Sequence, residues 1–160
     1  MIAAGQTCQN NGIRFAIWLS GIISAVIIQI IIRSYVTRAD SINARINEFC
    51  NAIRSLSEAS HEYWCLGPQD AGLPKAEANL SAANHMVNCL AGTIIDRKPK
   101  FKKNLENLVF DLSNDATGSQ FQVSGRPADV HRYKVVQARA INLLSEMRRY
   151  QQGFWVRTFG

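Results

Sequence analysis

Eighteen consecutive residues, Phe15 to Ile32 (FAIWLSGIISAVIIQIII), carry no charge and are bracketed by Arg14 and Arg33. As a helix at about 1.5 Å per residue the run covers roughly 27 Å, close to the hydrocarbon thickness of a bilayer. Lipid offers the backbone no hydrogen-bond partners, so a lone apolar run of this kind inserts as a helix. Trp18 and Tyr35 stand near its two ends, where amphipathic rings sit at the headgroup level. A cleaved signal peptide fits less well: the apolar region exceeds the usual 7–15 residues and Arg14 is its only preceding basic residue. The expectation is a retained single-pass anchor in a cell membrane, a bacterial inner membrane by type. It divides the chain into a polar head (1–14), a transmembrane helix (15–36) and a domain of one small core (37–160).

Charge gives the orientation. Arg14 precedes the span, while Arg33, Arg38 and Arg45 follow it, so the positive-inside bias places the C-terminal domain in the cytoplasm. The net charge of +6 is unevenly distributed. Residues 40–96 hold seven acidic and three basic side chains, and 126–160 hold seven basic and two acidic. That pattern suits a basic helix packed beside an acidic pair of helices. Basic residues interleaved with aromatics on one face, as nucleic-acid binding requires, are not evident, so no nucleic-acid partner is expected.

The helical pattern continues past the span. Tyr35, Ala39, Ile42, Ile46, Phe49, Ile53, Leu56, Ser60 and Tyr63 recur in steps of four and three, a heptad seam. No proline or glycine interrupts it before Gly67-Pro68. One helix is therefore expected from about Phe15 to Cys65, its domain part spanning 37–65. A second helix (74–96) opens at Pro74 with the seam Leu73, Ala76, Leu80, Ala83, Val87, Leu90 and Ile94. The short turn between them requires an antiparallel pair. A third helix (101–112) carries Phe101, Leu105, Leu108, Val109 and Leu112. After a loop with a short extended piece at 120–123, a fourth (129–152) opens at Pro127 and Asp129, with Val130, Tyr133, Val136, Ala140, Leu144 and Met147 on one side. The tail Phe154-Trp155-Val156 is expected to fold back. The predicted fold class is all-α: one transmembrane helix running on into an antiparallel helical hairpin and four-helix bundle.

Chemistry-bearing constellations are sparse. His61-x-x-x-Cys65 and His85-x-x-x-Cys89 together make a zinc-type set. The hairpin register, however, leaves His61 and His85 roughly 10 Å out of level at 1.5 Å per residue. No metal or cofactor is expected. Cys50 and Cys89 come level and flank the helix–helix interface, yet a cytoplasmic domain keeps them as buried thiols; nothing decides whether Cys8 is lipidated or free. Glu58 and Glu62 read as a solvated helix face. With no nucleophile elbow, phosphate loop or HExxH motif, a non-enzymatic protein is expected, with no catalytic residues.

Two groups remain as candidate sites. In the span, Ser20, Gly21, Ser24 and Ala25 form overlapping small-residue pairs that allow close helix packing, and Gln29 offers a hydrogen bond across a helix pair. Beyond the second helix, Arg97, Lys98, Lys100, Phe101, Lys102 and Lys103 form a basic cluster. The geometry of a returning hairpin brings it within about 15 Å of the headgroups, a distance at which it can contact anionic lipid. The functional expectation is an interaction or oligomerisation module at the membrane, self-associating or meeting a membrane protein through span and seam. The alternative is a small membrane-acting effector of the phage-lysis or bacterial-defence type, which oligomerises and perturbs the bilayer.

Overall fold

The computed structural model describes the backbone of residues 3–95 and 99–159 and the side chains of residues 17–94 and 102–152. Among the described residues the chain is all-helical with no strand. Its elements are α1 (Ala3–Cys65), α2 (Leu73–Ile95), α3 (Pro99–Thr117) and α4 (Val130–Phe159). The chain divides into two compact units, Met1–Ile42 and Asn43–Gly160.

The described residues of the first unit are helical, and α1 begins at Ala3 rather than at about Phe15, where the helix was expected to start. Once a helix is nucleated, each further residue adds a hydrogen bond at little cost, so Asn10, Asn11 and Gly12 are carried along by the apolar run behind them. From Ile17 to Val36 every side chain is exposed, including Ile22, Ile23, Val26, Ile27, Ile28, Ile30, Ile31 and Ile32. This is the one stretch long and apolar enough, among the described residues, to cross a membrane, and none of it is buried within the protein. Soluble monomers rarely expose contiguous apolar patches beyond a few hundred Å².

The second unit buries its apolar residues. On the 43–65 part of α1, Ile46, Phe49, Ile53, Leu56, Ser60 and Tyr63 are at most 1% exposed, as the heptad seam requires. Each large apolar side chain buried this way stabilises the fold by about 1.5–3 kcal/mol. Ala76, Leu80, Val87 and Ala91 form the buried stripe of α2; Leu105, Val109, Leu112 and Ala116 that of α3; Val136, Ala140, Leu143 and Met147 that of α4. Val130, expected on the inner side of α4, is exposed, Tyr133 and Leu144 are half-buried, and Leu143 rather than Leu144 fills the core.

Named contacts set the packing. The amide of Asn88 donates to Ser113 Oγ at 3.1 Å between α2 and α3. Arg139 reaches Asp111 and Asp115 (3.6 and 3.0 Å) while Arg132 Nε donates to the Asp115 carbonyl at 2.9 Å, so α3 and α4 run in opposite directions. Asn47 meets Gln151 (3.2 Å), His61 meets Tyr133, and the Trp64 carbonyl accepts from Asp129 N–H (2.7 Å). The 43–65 part of α1 and α4 are opposed in the same way.

The ends of the helices differ from the sequence reading for physical reasons. α3 continues to Thr117 because Ala116 is fully buried and Asp115 is held by Arg139. The 120–123 stretch is a series of turns rather than a strand. The backbone of 154–156 continues α4 to Phe159 instead of folding back; the side chains of this tail lie outside the described residues. Asp129 caps α4 as expected, its Oδ1 accepting the Arg132 N–H at 2.9 Å.

Candidate functional site

Gly21, Ala25 and Gln29 fall at i, i+4 and i+8 on α1, with Ser20 and Ser24 on the adjoining row, so the five share one helix face. All five are exposed, and a Cβ built on Gly21 would meet nothing within 4 Å. Ser20 Oγ donates to the Ile17 carbonyl at 2.8 Å within its own helix.

The basic cluster is described only in part. Lys102 and Lys103 are exposed on the first turns of α3, and Lys102 pairs with Glu106 at 3.8 Å, an exposed pair worth little. Lys100 and Phe101 lie in α3 with side chains outside the described residues, and Arg97 and Lys98 lie outside them altogether.

The cysteine and histidine pairs do not converge. Cys89 Sγ lies 3.4 Å from His85 Nε2 on α2, whereas His61 turns its ring edge toward Tyr133 at 4.6 Å between centroids. Among the described residues no group of three or more His, Cys, Asp or Glu could hold a metal ion. Cys50, Cys65 and Cys89 are free thiols. Cys89 is exposed, against the expectation of a buried thiol; Cys50 is buried as expected, and desolvation pushes its thiol pKa up against the opposing pull of Arg54 and Arg148. A cleft of about 540 Å³ opens between α1 and α4, with Arg54, Glu58, His61 and Glu62 facing Tyr133 and Leu144. Glu58 and Glu62 are exposed along it, as a wet helix face should be.

The densest constellation is one that the sequence reading passed over. The loop from 118 to 129 packs on the C-terminal end of α1. Arg126 is only 3% exposed, its guanidinium 3.8 Å from the Tyr63 ring centroid and 4.8 Å from that of Trp64. It donates to the Tyr63 carbonyl and, through its other terminal nitrogen, to the Pro127 carbonyl at 3.2 Å. Its Nε has no hydrogen-bond partner among the described residues. Arg132 lies 4.5 Å from the same Trp64 ring, the indole N–H donates to the Ala116 carbonyl at 3.0 Å, and Tyr63 Oη accepts the Gln122 N–H at 3.0 Å.

The logic is that of a helix end. The last carbonyls of α1 have no intrahelical donors, and no basic residue occupies its last turn. Arg126 and the Asp129 N–H supply the missing donors from more than sixty residues away, and the cation also meets the negative end of the helix dipole. Cation–π attraction, about 0.5–2 kcal/mol per pair, offsets part of the desolvation of the guanidinium. A single arginine in a polar loop carries no sequence signal for such a role; the aromatic pair Tyr63-Trp64 at a helix end was the available hint. Comparison with protein-family models, with curated proteins and with solved structures finds no match to this chain.

Proposed function

We propose that the protein is a single-pass membrane protein whose helical domain, an antiparallel four-helix bundle, serves as a non-enzymatic interaction and self-association module. The observation that carries this reading is the contrast within α1: 17–32 exposes an uncharged, predominantly apolar surface, while the seam from Ile46 to Tyr63 is consumed inside its own unit. The apolar surface needs lipid around it. The face of Ser20, Gly21, Ser24, Ala25 and Gln29 is the part shaped for a second helix. The domain sits in the cytoplasm, where Lys102 and Lys103, with Arg97, Lys98, Lys100 and Phe101, meet anionic headgroups at roughly 1 kcal/mol per basic residue.

The test is self-association of the full chain in membranes, read by energy transfer between two differently labelled copies. Replacing Gly21 and Ser24 together by Leu is expected to reduce transfer severalfold while leaving membrane retention intact; unchanged transfer would count against a span-mediated interface. The membrane-acting effector reading rests on the same small-residue face. It requires dye leakage or growth arrest on induced expression, lost in the same double variant.

A further inference from the structure

We infer that the 118–129 loop is a latch that opens and closes as one cooperative unit with the last turn of α1, alternately sealing and baring the Tyr63–Trp64 pair. Four observations meet in this segment. Arg126 is buried without a carboxylate among its partners, and its Nε is unsatisfied. A second guanidinium, that of Arg132, shares the Trp64 ring, so two like charges lie close to one indole. Gln122 adopts φ 64°, the left-handed region that a residue with a Cβ enters at a cost. Finally, the end carbonyls of α1 at Tyr63 and Trp64 receive donors from the loop, namely Arg126 and the Asp129 N–H.

The first three features each raise the free energy of the closed state and are relieved on opening: the guanidinium regains water, the two cations separate, and Gln122 leaves its left-handed conformation. The closed state is held by burial of Tyr63 and Trp64, by the cation–π contacts and by the shared hydrogen bonds. Large opposing terms confined to one segment make a low-lying local opening, distinct from unfolding of the rest. Because the bonds join loop to helix end, neither side can open alone without stranding the other's polar groups. Opening therefore delivers two aromatic rings and the Arg126 guanidinium to solvent together.

Native-state hydrogen exchange on the full chain in detergent micelles tests the inference. The amides of Phe121, Gln122 and Asp129 are expected to share one protection level with Tyr63 to Cys65, at least tenfold below Val87 in α2 and Val109 in α3. Arg126→Lys, which keeps the charge but loses the planar fork, is expected to lower protection of loop and helix end together by tenfold or more, leaving Val87 and Val109 as they were. Gln122→Gly, which removes the left-handed penalty, is expected to raise both severalfold. Simple fraying of α1 would leave Tyr63 to Cys65 unmoved by Gln122→Gly. That result, or exchange of the loop only with global unfolding, overturns the latch.

Discussion

The same helix solves two different burial problems. Residues 17–32 of α1 are uncharged, apolar on nearly every side and exposed throughout, whereas residues 43–65 alternate a buried seam with a polar face. A stripe is what a helix needs to pack against other helices in water; a full apolar circumference is what it needs when the solvent itself is apolar. Ile27 is 51% exposed and Ile53 fully buried, although the two side chains are identical. The surroundings of the isoleucine, rather than its chemistry, separate the two regions.

That comparison can be broken from either side. Trp64→Ala removes a fully buried indole, its hydrogen bond to the Ala116 carbonyl and two cation–π partners, and is expected to destabilise the second unit by about 3–5 kcal/mol. Denaturant melting followed by circular dichroism checks it, and membrane retention should be unaffected. Ile27→Arg attacks the other region. Its expected cost is about 3 kcal/mol of insertion free energy, seen as protein lost from the membrane fraction, with the helical domain still folded where it is recovered. The equivalent change at the exposed Ile141 should do neither.

Smaller effects sharpen the picture of the second unit. A Cβ on Gly118 would overlap the Arg132 guanidinium and come within 3.0 Å of the Asn114 carbonyl. Gly118→Ala is therefore expected to cost about 1–3 kcal/mol by displacing Arg132 from Trp64 and from the Asp115 carbonyl, measurable as a lowered denaturation midpoint. The mildest prediction concerns Cys50. Burial raises its thiol pKa, so the folded protein holds that proton above the pH at which the unfolded chain releases it. The associated stability is fully present below the unfolded thiol pKa and is lost as pH rises through the folded one. Alkylation near pH 8 should label exposed Cys89 well before Cys50.

Much of this was legible in the residues. The seam Ile46, Phe49, Ile53, Leu56 and Tyr63 could be read from its spacing because helical burial has a period, and the Gly67-Pro68 stop and the Asp129 cap because turns and caps have local chemistry. The start of α1 at Ala3 was not, since propagation from a strong helix overrides weak local preference. Nor was the extension of α3, which depends on Ala116 receiving Trp64 and Asp115 receiving Arg139. The candidate faces divide the same way. The small-residue row in the span is periodic and therefore visible, whereas Arg126 acts across sixty-three residues of chain and leaves no pattern.

On the proposed reading, segment 17–32 of α1 lies in lipid and segment 43–65 lies outside it. Single cysteines at Ile27 and at exposed Glu58, each in a background with the native cysteines replaced, test it directly in intact membranes with a water-soluble maleimide. No labelling is expected at residue 27 until the membrane is dissolved by detergent, and labelling at residue 58 once both faces of the membrane are open to the reagent. Rapid labelling at residue 27 in sealed or opened vesicles alike would contradict it.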